Sequence, residues 1–212
     1  MPASPTRLLL AVCAAALTVA CSSTVTGVAV RPTPGLDDRS RSPVDVDGVL
    51  LEQSQMRAIT GAGDDLTIIP SMDGKFPVDV DAFADRVPAA CAWIFAETQT
   101  FGPEVEEFHK TTYQNPPKGA LISQGAAGYR DVAAARRTLD GLVDRVDACA
   151  ASTSGYVGDW TTTTDGVRTR TSSECGRDYQ LKSAVLVEVT FCAYPASVPG
   201  IVMTNILERI PG

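Results

Sequence analysis

Four cysteines constrain the fold of this chain more than any other feature of its sequence. Cys91, Cys149, Cys175 and Cys192 all lie in the long stretch whose composition suits a folded domain. In an exported domain, four cysteines predict two disulfides, for which three pairings are possible. Zinc is the alternative, but no two of these cysteines show the close C-x2-4-C spacing of a zinc site. We therefore expect disulfides and no metal centre.

The first 20 residues indicate that the domain is exported. Arg7 precedes an apolar run at residues 8–20, which ends in small residues before Cys21. A short basic region, an apolar region and small residues at a cleavage site are the layout of a bacterial secretory signal. The apolar run has 13 residues, whereas a membrane-spanning helix needs about 20. We therefore predict that residues 1–20 are a signal peptide rather than a transmembrane helix.

Cys21 makes this leader resemble a bacterial lipoprotein signal. In such signals the thiol receives a diacylglyceryl group, and cleavage leaves the cysteine as the first residue. The sequence departs from the usual pattern at Thr18, where Leu, Val or Ile is common. Two or more acyl chains hold a protein stably on a membrane, so we predict lipidation of Cys21 and attachment to the outer face of the cytoplasmic membrane. The alternatives are an ordinary signal peptide cleaved elsewhere or an unmodified Cys21.

Composition predicts a lipid-anchored flexible tether at residues 21–47 and one domain at residues 48–212. Pro, Ser, Thr and charged residues dominate the tether, which lacks a sustained apolar period. As a coil, such a segment spans roughly 30 Å and would lift a domain off the lipid. The 165 residues that follow are a normal length for one domain.

The net charge limits the choice of partners. Without residues 1–20, the chain has 17 Lys and Arg against 25 Asp and Glu, a net charge near −8. Binding to nucleic acid requires a basic face, so we expect no nucleic-acid partner. The membrane is expected as a partner only through the N-terminal lipid, because an acidic surface disfavours contact with an anionic leaflet.

Hydrophobic periodicity predicts an α+β fold, with a mostly antiparallel sheet packed by helices in a single disulfide-linked domain. The clearest element is a helix at residues 131–148, where apolar residues recur every three or four positions. Residues 104–110 are acidic, and their secondary structure is ambiguous from the sequence. The other predicted helices span residues 52–60, residues 88 to about 98–102, and residues 199–209. The predicted strands span residues 65–69, 120–125 and 184–192, and a hairpin of strands lies within residues 156–171, around the turn Asp165-Gly166.

The predicted elements favour one disulfide pairing. Cys91 lies early in one helix and Cys149 ends the long helix, so a bridge between them would fasten two helices. Cys175 lies in a turn, and Cys192 lies on the strand that follows, near enough for the chain to fold back. We therefore favour Cys91–Cys149 and Cys175–Cys192.

The order of these motifs resembles a known family. Pro88-x-x-Cys91 opens a helix, Cys149 ends the long helix, Cys175 precedes a Val-rich strand carrying Cys192, and Ile210-Pro211-Gly212 closes the chain. This arrangement is similar to the PknH-like extracellular sensor domains of mycobacterial Ser/Thr kinases, which stand-alone mycobacterial lipoproteins share. The resemblance covers about residues 48–212, and the cysteine order is its most specific part.

The resemblance implies an α+β domain, a disulfide pairing of first with second and third with fourth cysteine, and a surface cleft for an unknown ligand. In the receptor kinases, a transmembrane helix joins the domain to a kinase. This sequence carries neither, so we expect any signal to pass to a protein partner of the envelope.

The sequence offers little for catalysis. It contains one histidine, His109, which follows an acidic run and is expected to be solvated at a helix end. No G-x-S-x-G or S-x-x-K motif is present. We therefore predict no catalytic residue, no cofactor and no enzymatic activity.

Candidates for a ligand cleft are one carboxylate and three aromatic residues, Glu188, Trp160, Tyr156 and Tyr129. Glu188 interrupts an apolar strand, and its simplest interpretation is a carboxylate on the solvent face of a one-sided sheet. We predict a membrane-anchored lipoprotein whose domain binds a small ligand or an envelope component. The alternatives are a hydrolase that pairs Glu188 with a second acid across a cleft and a structural or assembly protein of the envelope.

Overall fold

The computed structural model describes residues 42–80, 86–153, 155–171 and 174–212. The predicted signal peptide, Cys21 and the tether as far as residue 41 lie outside these ranges. Within them, every helix is too short or too polar to cross a bilayer.

Seven antiparallel strands form one sheet, which confirms the predicted α+β class. The strands are β1 (Thr67–Gly74), β2 (Val105–Asn115), β3 (Ala120–Tyr129), β4 (Asp159–Thr163), β5 (Gly166–Arg170), β6 (Cys175–Lys182) and β7 (Val185–Cys192). Their order across the sheet is β1-β2-β3-β7-β6-β5-β4. The apolar strand β7 therefore lies at the centre, and β1 and β4 lie at the edges.

Helices cover both faces of this sheet. They are α1 (Val46–Val49), α2 (Gln53–Thr60), α3 (Glu97–Phe101), α4 (Val132–Ser152) and α5 (Ser197–Arg209), with 3-10 helices at Gly63–Asp65, Ala89–Ile94 and Pro116–Lys118. One core lies between the sheet and α1, α2 and α5. The second lies between the opposite face and α3, α4 and the 3-10 helix Ala89–Ile94.

The alternating pattern of β7 explains why it is the central strand. Val185, Val187, Val189 and Phe191 share one face and are buried in the first core. Leu186 points the other way, into the second core. Full burial of one such side chain stabilises the fold by about 1.5–3 kcal/mol, and β7 contributes side chains of this kind to both cores.

The long helix α4 begins and packs as its sequence predicts. The Asp131 carboxylate accepts a hydrogen bond of 2.8 Å from the backbone N–H of Ala134, which caps the first turn. Leu139, Leu142 and Val146 recur on one side and are buried in the second core. The helix continues to Ser152, four residues beyond its predicted end.

The helix predicted from Pro88 to about residue 102 is two short elements instead. The 3-10 helix Ala89–Ile94 ends before α3 begins, and the chain between them is extended at Ala96. There the backbone pairs with a distant segment: Val80 N–H donates to the Phe95 carbonyl (2.8 Å), and Glu97 N–H donates to the Val78 carbonyl (3.2 Å). This long-range pairing interrupts the single helix that the periodicity of the sequence predicts.

The domain begins earlier than predicted, because the last residues assigned to the tether are part of the core. Val44 and Val46 are buried in the first core, on the side of the sheet that α1, α2 and α5 cover. Gly128 on β3 permits this approach, since a Cβ at Gly128 would lie only 2.5 Å from Ser42 Oγ. The folded domain therefore includes residues 42–47.

Two disulfides are formed, with the pairing favoured from the sequence. Cys91–Cys149 joins the 3-10 helix Ala89–Ile94 to the last turns of α4. Cys175–Cys192 joins β6 to β7 between directly paired residues. The sequence separations are 58 and 17 residues, respectively.

The longer disulfide loop predicts the larger stabilisation. Chain-entropy arguments give about 4 kcal/mol for Cys91–Cys149 and about 3 kcal/mol for Cys175–Cys192. In urea unfolding monitored by circular dichroism, C91A/C149A is expected to lose more free energy of unfolding than C175A/C192A. A larger loss for the second pair would contradict this ranking.

Candidate functional site

A group of exposed apolar side chains marks one edge of the domain. Phe76, Val78 and Val80 are alternate residues in the segment after β1, and they are 79%, 58% and 44% exposed. Met72 of β1 is exposed beside them. We call these four residues the apolar rim. Clusters of large exposed apolar side chains are uncommon on soluble proteins and are often binding sites.

Hydrogen bonds hold the rim segment against the start of α3. The Asp79 carboxylate accepts from the Thr98 backbone N–H (3.0 Å) and from the Thr98 hydroxyl (2.6 Å). Asp79 thereby satisfies a helix N–H that would otherwise lack a partner. The Glu97 carboxylate accepts from the Val78 N–H at 2.9 Å. The apolar side chains are therefore displayed from a segment fixed at alternate positions.

A cavity of about 240 Å³ lies between the apolar rim and strand β2. Alternate residues of β2 form its floor, because residues two apart on a strand face the same side. These residues are Phe108, Lys110 and Thr112, and Glu97 adds a carboxylate. The cavity thus has an apolar wall and a floor that carries charge.

Lys110 connects this floor to a buried carboxylate. Its Nζ lies 2.9 Å from Glu97 Oε1 and 3.0 Å from Glu188 Oε2. Gly125 of β3 lies between Lys110 and Glu188 in the sheet register. Because Gly125 has no side chain, the aliphatic part of Lys110 can lie across β3 and reach β7.

Glu188 is 1% exposed and has polar partners on its other oxygen. Its Oε1 accepts from the Thr190 hydroxyl at 2.5 Å and lies 3.4 Å from an Arg177 guanidinium nitrogen and from the Tyr179 hydroxyl. A buried carboxylate is tolerated only when it is paired and hydrogen-bonded, and Glu188 meets both conditions.

Electrostatic interactions keep both Lys110 and Glu188 charged. Burial opposes ionisation of Glu188, but the charges of Lys110 and Arg177 outweigh it and hold the pKa of Glu188 below its usual value. Burial likewise opposes the charge on Lys110, and Glu188 and Glu97 outweigh it, so the pKa of Lys110 lies above its usual value. Burial, together with the charge of Glu188, also raises the pKa of Tyr179, whose hydroxyl stays protonated.

A second polar cluster lies on the opposite face of β2. The His109 Nδ1 is 2.8 Å from Asp47 Oδ1 on α1, and its Nε2 is 3.2 Å from Asp73 Oδ1 on β1. The Thr111 hydroxyl donates to the same Asp73 oxygen at 2.8 Å. The expectation of a solvated histidine at a helix end was therefore wrong, because His109 lies in strand β2 and contacts carboxylates of α1 and β1.

Three of the four predicted cleft residues lie away from this cavity, and Glu188 lies behind its floor. The expectation that Glu188 faces solvent was wrong, because α3 and α4 cover that face of the sheet as well. Tyr129 is fully buried and donates to the Phe101 carbonyl at 2.7 Å. Trp160 and Tyr156 are half-buried and pack against the second core. The four residues do not form one cleft.

Sequence reasoning missed the apolar rim, although a signal was present. The run Phe76-Pro77-Val78-Asp79-Val80 alternates apolar residues with Pro and Asp, the pattern of an extended segment with one apolar face. Lys110, Arg177 and Glu97 were also missed, because nothing local in the sequence indicates their partners.

The paired carboxylates do not form an acid–base site. Glycosidases leave space for substrate or water between their two carboxyl groups. Here the Lys110 ammonium occupies the space between Glu97 and Glu188, and Glu188 is inaccessible. No group of three or more His, Cys, Asp or Glu within the described ranges is placed to hold a metal ion.

Comparison with known proteins assigns the family. Residues 42–209 match the family described as PknH-like extracellular domain. The chain belongs to this family. The matched range includes Val44 and Val46, which are buried in the core, and membership indicates an extracytoplasmic location. No curated protein matches the sequence.

A solved structure supports the same fold. The crystal structure of the extracellular domain of PknH from Mycobacterium tuberculosis is similar, with a TM-score of 0.56 and 14% sequence identity. The match covers 80% of this chain and 97% of that chain. At this identity the likeness establishes the fold, and the site must be argued from the residues of this chain.

The buried charge network predicts a large cost for removing Lys110. Lys110→Met leaves Glu188 without its closest charged partner, and breaking a buried pair in this way costs about 3–5 kcal/mol. The matched control is Arg137→Met, because the Arg137–Glu104 pair is exposed (60% and 46% of the side chains) and solvent screening leaves such pairs little effect on stability. Similar losses for both variants in urea unfolding would show that the buried network does not stabilise the fold.

Proposed function

We propose that this domain is an extracytoplasmic binding module that captures a small ligand, or part of an envelope component, in the cavity beneath the apolar rim. The single observation that carries the proposal is the exposure of Phe76, Val78 and Val80 beside a cavity with a charged floor. A pocket with apolar walls and a few converging polar groups is the usual form of a small-molecule site.

The rim side chains gain burial only when something covers them. Covering one Phe or Val fully is favourable by about 1.5–3 kcal/mol. The segment that displays them is held by Asp79 and Glu97, so little order has to be created on binding. Preorganisation of this kind lowers the entropic cost of binding. It therefore favours a role in recognition for this segment over the role of a passive exposed loop.

The cavity volume suits a small group. A cavity of about 150 Å³ binds benzene in another protein, and this cavity has about 240 Å³. We infer a ligand whose inserted part is a ring or a short stretch of hydrocarbon, with any remainder outside the cavity.

The family supports a sensor role for such binding. Membership in the PknH-like extracellular domain family is the observation behind this part of the proposal. In this proposal Cys21 carries lipid and holds the domain at the outer face of the membrane. A ligand-bound domain would then act on a protein partner in the envelope.

The apolar rim is expected to determine affinity for apolar molecules. For the double variant Phe76→Ser/Val78→Ser, we expect the binding of a neutral fluorescent probe, N-phenyl-1-naphthylamine, to weaken about tenfold or more, since loss of roughly 1.4 kcal/mol of contact is tenfold. Val132→Ser and Ile201→Ser are matched controls, because both residues are comparably exposed but lie outside the cavity. Equal effects of all substitutions would refute a site at the rim.

Lipidation is expected to depend on one thiol. In cells fed an alkyne-tagged fatty acid, the wild-type chain is expected to carry the tag and to sediment with membranes. Cys21→Ser should lose the tag and leave the membrane fraction. Cys13→Ser, within the predicted signal, is the control and should keep both properties. Tagging that persists in Cys21→Ser would overturn the anchor.

A further inference from the structure

Exposed apolar side chains concentrate at one edge of the domain. Six large apolar residues of the described ranges are exposed, and four of them are Met72, Phe76, Val78 and Val80 of the apolar rim. The other two, Val132 and Ile201, lie on separate helices, α4 and α5. A patch of apolar side chains is a mark of a surface that meets a protein, a ligand or a membrane.

The apolar rim lies beside the point where the chain enters the domain. The described residues begin at Ser42, and Asp47 of α1 follows five positions later. The Asp47 carboxylate accepts a hydrogen bond from the ammonium of Lys75, the residue directly before Phe76. The rim segment therefore starts next to the stretch of chain that leads back to Cys21.

The length of that stretch keeps the rim within reach of the proposed lipid anchor. Cys21 and Ser42 are 21 positions apart, and a coil of that length spans roughly 25 Å. A surface linked at such a distance meets the rim at an effective concentration on the order of millimolar. A contact with a dissociation constant of about 1 mM would therefore be formed about half of the time.

We propose that the apolar rim docks on the lipid surface that carries the anchor, with its side chains at the hydrocarbon boundary of that leaflet. This inference rests on the proposed function, because it names bilayer lipid as the envelope component that the same site meets and uses the same anchor. Apolar side chains at this boundary bind with a strength that grows with the apolar area they bury.

The charges near the rim favour apolar contact over attraction to anionic headgroups. The ammonium of Lys75 is paired with Asp47. Asp73 and Asp79, which neighbour rim residues in the sequence, are exposed, and the whole chain is acidic. Salt screens contacts between exposed charges, whereas burial of apolar area does not depend on charge. Docking is therefore expected on uncharged lipid and at high salt.

Quenching of a tryptophan placed in the rim tests the inference. Residues 21–212 with Cys21→Ser and Phe76→Trp are held on phosphatidylcholine vesicles by a hexahistidine tag ahead of residue 21 and a nickel-chelating lipid. The acyl chains are brominated, and bromine quenches tryptophan fluorescence at contact. This chain carries no acyl group of its own, so quenching reports bilayer lipid and does not depend on lipidation of Cys21.

Two matched controls place the tryptophan elsewhere on the surface. Val132→Trp and Ile201→Trp replace exposed residues outside the rim, and the signal of Trp93 and Trp160 is subtracted from all three chains. We expect quenching of the added tryptophan in Phe76→Trp to exceed that in either control at least about twofold, since only the rim meets hydrocarbon. Equal quenching in the three chains would overturn the inference.

A second variant and a change of salt show which force holds the rim. Val78→Ser/Val80→Ser, added to Phe76→Trp, is expected to reduce quenching to the level of the controls. Met72→Ser takes its place if circular dichroism shows that the double variant has lost its fold. Raising NaCl to about 0.5 M should leave quenching unchanged. Loss of quenching in salt, or its persistence in the folded variant, would contradict apolar docking.

The two proposals fail differently. If binding of N-phenyl-1-naphthylamine depends on the rim but Phe76→Trp is quenched no more than the controls, the small-molecule site stands and docking on lipid is wrong. If Phe76→Trp is quenched but the probe binds equally well to wild type and to Phe76→Ser/Val78→Ser, the rim meets lipid and capture of a small ligand is wrong.

Discussion

Lys110 and Glu188 form the interaction on which the geometry of the candidate site depends. They lie on β2 and β7 and meet across Gly125 of β3, so the pair spans three adjacent strands. Removing two charges from water is unfavourable, and only a full set of partners offsets the desolvation. Because Lys110 also holds Glu97, and Glu97 holds the Val78 N–H, the same network fixes the apolar rim relative to the centre of the sheet.

The helical layer gives the rim its second attachment. Cys91–Cys149 fastens the 3-10 helix Ala89–Ile94 to α4, and the chain directly after that helix pairs with residues 78–80. A disulfide outside the cavity lining thus supports the segment that displays Phe76, Val78 and Val80. Stability and binding are linked here, because the rim segment has little regular secondary structure of its own. It is held in place by contacts with both the sheet and the helical layer.

Several predictions from the sequence survived because they rest on local patterns. The period of α4, its cap at Asp131 and the apolar face of β7 are each visible within a few residues. Residues 104–110 could not be assigned in the same way. Their polar side chains suggest a surface, whereas Lys110 and His109 lie on opposite faces of β2 and are enclosed by partners from other elements.

The sequence by itself determined the class of fold, the positions of most elements, the favoured cysteine pairing and the resemblance to the family. Tertiary structure alone decided which polar residues meet. Lys110 and Glu188 are 78 positions apart, and no local pattern encodes such a contact. Tertiary structure also decided that Tyr129 is core and that Phe76 is exposed, because burial depends on what the rest of the chain places over a residue. Periodicity specifies the face of an element, and only packing specifies whether that face is covered.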